Sequence, residues 1–253
     1  MSKNNSGQGK IVSKFMDIID ILEAIGTEWK PIDEQLLVAN LKARHAAGKT
    51  VLDDIGTASA FSQLKTAERE KAYQPLNPLV KRIYAAAKAC KMEVTTIEKV
   101  KTLKDLIDGT NINQATAKVR REEKKARALL PEGAELPETP KARSVAKQAY
   151  EERYDNFKKL ITLLTVSENY KTHEAELTTD AMNTLLTAMS AANKVTNDAD
   201  KALATKRAER DATISGKTDS ILSDIKDIKD QLISKEGNSG VTYKKVTAIK
   251  LLK

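Results

Sequence analysis

Cysteine is nearly missing from this chain: Cys90 stands alone among 253 residues. No disulfide can therefore close within one chain, and no cysteine-based metal cluster can form. In the alanine-rich run Ala85–Cys90 it reads as a small packed apolar side chain, not a reactive thiol. Histidine is almost as scarce. His45 and His173 lie in no His-Glu-x-x-His or Glu-x-x-His spacing, which leaves metal catalysis without its usual ligands. Aromatic residues are 4% of the chain and charged residues 31%, so the core must be a narrow aliphatic seam. Long apolar runs are missing too. The longest charge-free stretch, Ala181–Asn193, contains Asn, Thr and Ser and falls short of the ~20 apolar residues that span a bilayer. Met1–Lys10 has no apolar region behind its lysines; it reads as a loose tail, not a secretory leader, and the expected location is cytoplasmic.

Catalytic patterns are equally thin. Asp53-Asp54 and Glu122-Glu123 are neighbours in sequence and diverge on a helix, so neither makes a paired acid and base. No Gly-x-Ser-x-Gly elbow occurs. Ala43 to Thr50 satisfies a relaxed phosphate-loop pattern ending Gly48-Lys49-Thr50. However, its flanks read as helix, where a phosphate loop needs a strand and a glycine-rich turn. The expectation is a protein that is not an enzyme and has no cofactor.

What is present is helical periodicity and a repeat. Phe15, Ile18, Ile19 and Leu22 fall on one helical face, and a similar helix opens at Phe157. Each ends at an aromatic followed by lysine, Trp29-Lys30 and Tyr170-Lys171, and Ala67-Glu68-Arg69 recurs downstream as Ala208-Glu209-Arg210. Between these landmarks, Leu41 to Ala47 is set against Leu185 to Ala191. In the first copy, Pro31 stops one helix and a second runs from about Ile32 to Tyr73, with Gly48 and Gly56 as points of bending. Asn77-Pro78 reads as a cap and first-turn proline, and Thr95 with Glu98 as a capping box for a helix ending at Gly109. The second copy reads as helices over Ser144 to Ser167, Thr179 to Ile214 and Thr218 to Ser234. Prolines at 131, 137 and 140 forbid continuous helix between the copies. The predicted fold class is all-α, with two tandem long-helix bundle or hairpin units joined by a basic helix and a proline-containing linker. Its predicted organisation is a flexible tail over 1–13, repeat units over 14–110 and 144–235, the basic helix and linker over 111–143, and a basic C-terminal arm over 236–253.

The net charge of +8 is unevenly spread: +3 over residues 1–95, +4 over 112–148, −3 over 149–233 and +4 over 234–253. The densest cationic cluster is Lys118, Arg120, Arg121, Lys124, Lys125 and Arg127. It is the candidate contact for nucleic acid or an acidic partner, because such a helix can track phosphates without reading sequence. Glu122 and Glu123 interrupt it and no aromatic interleaves for base stacking, so a solvated helix is the plainer reading. After Gly240 the pattern of Tyr243, Val246 and Ile249 suits an extended arm. That arm either packs on its own bundle or docks on a neighbouring subunit as an assembly arm.

The linker Leu136 to Val145, followed by Tyr150 and Asp155-Asn156-Phe157, resembles a family of uncharacterised two-repeat helical proteins widespread in Bacteroidota. The similarity spans most of the chain and includes Tyr243 to Val246, although Ile233 to Gly237 departs from the family's pattern just before that tail. The resemblance implies no activity and no site residues. Together these features lead to the expectation of a non-catalytic helical structural or interaction protein. Its expected partner is itself, as a homo-oligomer, or another protein; the alternative is sequence-independent binding of nucleic acid through residues 118–127.

Overall fold

The computed structural model describes residues 3–109 and 150–251. Within them all regular structure is helical. Helix α1 covers Lys3–Ile25, beginning inside the stretch expected to be a loose tail. It forms there because Ile11 and Val12 extend the apolar face of Phe15, Ile18, Ile19 and Leu22, and all six are buried. Gly26, at φ +62°, ends the helix in the left-handed region where glycine costs least. The Asp33 carboxylate then accepts from the Gln35 amide and caps a 3-10 turn over Glu34–Leu36.

Helix α2, Val38–Tyr73, runs unbroken through Gly48 and Gly56, and the phosphate-loop-like residues lie in its interior. Gly48 is a close-approach position: a Cβ there would stand 2.6 Å from Ile221 Cδ1. Helix α3 is Leu76–Ala89 and α4 is Val94–Asp108, closed by Gly109 at φ +71° as expected. Two expected caps are not formed. Helix α3 starts one residue before Asn77, whose side chain instead accepts from Arg153. Helix α4 is preceded by Glu93 with no side-chain cap bond.

Helix α5 is Tyr150–Thr165, α6 is Thr179–Ser215 and α7 is Ile221–Glu236, the last opened by a capping box between Ser220 and Ser223. Helix α8, Val241–Ala248, replaces the expected extended arm. Its free N-terminal amides find an acceptor, since Tyr243 N donates to Glu236 Oε1 at 2.8 Å, and Val246 is fully buried beneath it.

The elements recur in order. Trp29 Nε1 donates to the Leu36 carbonyl, and Tyr170 Oη donates to the Leu177 carbonyl seven residues on. Each aromatic thus ties down the 3-10 turn before a long helix. One constant offset carries buried Leu41, Gly48, Ile55 and Ser62 of α2 onto buried Met182, Met189, Thr196 and Leu203 of α6. This register differs from the one read between Leu41 and Leu185, because burial every seventh residue, not residue likeness, defines the equivalent face. The inward residues of α3 (Leu76, Val80, Ile83, Ala87) and of α7 (Ile221, Ile225, Ile228, Leu232) follow identical spacing.

The chain forms two compact units, residues 1–64 with 198–253 and residues 65–197. Each therefore draws on both sequence copies, whereas the tandem expectation assigned one unit to each copy. The physical reason lies in the long helices: nothing between Val38 and Tyr73 or between Thr179 and Ser215 stops helix formation, so neither copy folds back on itself there. In the first unit α1, α7 and α8 enclose Phe15, Leu22, Ile221, Ile228 and Val246. In the second, α3, α4 and α5 enclose Ile83, Val100, Phe157 and Leu164. Burying each such side chain contributes ~1.5–3 kcal/mol, and the two phenylalanines that open the copies are both wholly buried.

Candidate functional site

The second unit carries a polar and aromatic cleft of ≈ 490 Å³ where the end of α2 meets the start of α5. Tyr73 is the last residue of α2 and Tyr150 the first of α5, which sets their rings edge to face at 4.7 Å and 77°. The Tyr73 hydroxyl donates to the Tyr150 carbonyl and accepts from Asn193 Nδ2, both at 2.8 Å. Burial pushes its pKa up to about 12, against the opposing pull of Asn193, Arg153 and Arg69. It is a neutral phenol at physiological pH and serves as a fixed hydrogen-bonding post, not a base.

Two guanidinium groups lie over these rings. Arg69 is 4.2 Å from the Tyr150 centroid and Arg153 5.5 Å from that of Tyr73, within the range of cation–π attraction. Arg153 Nη2 donates to Asn77 Oδ1 at 2.6 Å, and burial lowers the Arg153 pKa. The Nε atoms of both arginines are buried without a hydrogen-bond partner, so stacking rather than full hydrogen bonding holds them. Ala67, Glu70 and Lys71 add to the lining from α2. Tyr150 and Arg153 line the cleft with Tyr73 buried behind them, and an aromatic ring beside a positioned cation suits it to binding.

The equivalent place in the first unit keeps an arginine, with buried Arg210 matching Arg69, but is otherwise more aliphatic. The repeat register carries Arg153 onto Ile11 and Tyr73 onto Ile214, both buried, while Tyr150 becomes Gln8, whose side-chain amide donates to Asp211 Oδ1 at 2.9 Å. A separate groove of ≈ 430 Å³ runs between α1 and α2 past Met16, Asp17, His45 and Asp53. Burial, aided by Lys49 and opposed by Asp20, lowers the His45 pKa, which keeps the ring neutral near pH 7. Among the described residues no three His, Cys, Asp or Glu side chains are grouped to hold a metal ion.

The cationic cluster Lys118, Arg120, Arg121, Lys124, Lys125 and Arg127 lies outside the described residues, as does the proline linker. Of the candidate arm, Val246 is buried in the first unit and Tyr243 and Ile249 pack against its core. Cys90 caps α3, and its thiol donates to the Lys171 carbonyl at 3.2 Å. No described helix is long and apolar enough to cross a membrane. The sequence reading missed the tyrosine–arginine cleft. Arg69 and Tyr150 were visible there as landmarks of the repeat and the linker, but neither spacing nor composition brings residues from α2 and α5 together. Comparison with protein-family models, with curated proteins and with solved structures finds no match.

Proposed function

We propose that this chain is a non-catalytic helical interaction protein that associates with itself, using the cleft of Tyr73, Tyr150 and Arg153 as a contact. The observation that carries this reading is the replacement of buried Ile11 and Ile214 by Arg153 and Tyr73, one stacked on the other, at the matching place of the second unit. Tyrosine and arginine dominate the energetics of protein contacts because they present large, rigid surface with a polar tip. An acidic side chain suits Arg153 and Lys71.

Light scattering across a wide concentration range tests the proposal. The expected result is a mass that rises above that of the 27.8 kDa chain, with a rise reduced at least tenfold in association constant, ~1.4 kcal/mol, by Arg153→Ala with Tyr150→Ala. A mass fixed at one chain under all conditions overturns it. Nucleic-acid binding through residues 118–127 is the competing reading; retention on DNA and RNA at low salt, lost steeply as salt rises, would favour it.

A further inference from the structure

The two units differ at one more matched set of positions, half-buried or buried. In the first unit Arg44 of α2 faces Asp224 of α7: Arg44 Nε lies 2.8 Å from Asp224 Oδ2, and the Asp224 side chain is 6% exposed. Arg44 Nη1 also donates to the Asp219 carbonyl. Asp224 Oδ2 makes no aligned hydrogen bond, so the contact is chiefly one of charge. Asp224 stands in the inward row of α7 beside Ile221 and Ile225. In the second unit the repeat register puts Leu185 at the place of Arg44 and Leu79 at the place of Asp224, and both leucines pack against that unit's core.

One turn along α2, Gly48 lets Ile221 approach closely; the matched residue of α6 is Met189, fully buried, with Leu76 as the match of Ile221. The copies are therefore complementary to each other and not to themselves. If the front of the first copy met its own kind of rear segment, supplied by a second molecule, Arg44 would face Leu79 and lose its carboxylate partner in a half-buried place. The reciprocal pairing would bury Asp224 against Leu185 and drive Met189 into Ile221.

We propose that Arg44, Gly48 and Asp224 are the specificity-determining residues by which the two sequence copies pair with one another and refuse like copies from a second molecule. A buried ion pair contributes little net stability against an apolar replacement, yet breaking it by removing one partner is costly. That asymmetry makes it a register and partner selector, as single buried polar residues are in coiled coils. Exchange of identical segments between molecules is a low-cost route to unwanted dimers, and a chain containing two near-equivalent segments is open to it twice over.

The test replaces the charged pair with the leucines of the other unit, Arg44→Leu with Asp224→Leu, in the intact chain. Wild-type and variant proteins are unfolded and refolded at low and high concentration, then diluted and sized. The variant is expected to form a several-fold larger fraction of dimers and higher species that survive dilution, the mark of exchanged segments. Association through the cleft reverses on dilution and responds to Arg153→Ala instead, so the two proposals fail separately. A second arm cleaves the full-length chain at a protease site inserted in the linker, then unfolds, refolds and weighs the products by native mass spectrometry. Wild-type fragments should return only as unlike pairs and the double variant should add like pairs. Equal exchanged fractions in wild type and variant, or a statistical mixture of wild-type fragments, overturns the proposal. Arg44→Leu alone provides the control for general destabilisation: it should lower stability without matching the double variant's exchange.

Discussion

Asp224 carries a charge cost that pH can remove. Its folded pKa is pushed up to about 6, first by burial and then by Asp227, Asp219 and Asp33, with Arg44 opposing; an unfolded aspartate titrates near ~3.9. The folded state thus holds the proton more tightly, and the stability gained from the protonated form is complete below the unfolded value and lost as pH rises through about 6. The stability difference between Asp224→Asn and wild type should therefore move in the variant's favour across that window, by on the order of 2 kcal/mol. Thermal or urea unfolding at acid and neutral pH measures it; a difference between the proteins that does not change with pH would contradict the assignment. Arg44 and Asp224 were unremarkable in the sequence because they lie in different copies, and their partnership exists only once α2 and α7 pack.

Helices whose ends follow from local chemistry were the legible ones. Helix α6 spans Thr179–Ser215, within one residue of the expected end, because no proline interrupts it and Gly216 follows. The aliphatic rows of α1, α5 and α7 were legible through their three- and four-residue spacing. Helix α8 was not. Its spacing of Tyr243, Val246 and Ile249 also fits a strand-like arm, and its helical form depends on Glu236 reaching forward to the amides of Thr242 and Tyr243. Removing that acceptor by Glu236→Ala should cost ~1 kcal/mol, and amide hydrogen exchange over Val241–Ala248 should quicken while α1 and α7 keep their protection. Unchanged exchange there would mean that burial of Val246 alone holds the helix. The cap expected at Asn77 failed for a related reason: a capping pattern states what a side chain can accept, and Asn77 is engaged by Arg153 from a distant helix.

At the scale of the whole molecule, the sequence repeat and the packing units divide the chain differently. All-α architecture, the long helices and the paired phenylalanine-led openings were legible from periodicity. The assignment of segments to units was not, because it depends on which buried faces match: Gly48 with Ile221, Arg44 with Asp224, Tyr73 with Tyr150. Each unit buries aliphatic rows contributed by both copies, so its cohesion does not depend on the backbone between residues 110 and 149. The decisive measurement is native mass after cutting the intact protein once within that segment. At concentrations too low for self-association, a single particle of the full 27.8 kDa, parting only when the helices unfold, is the predicted result; two fragments that separate while each remains folded would contradict the account.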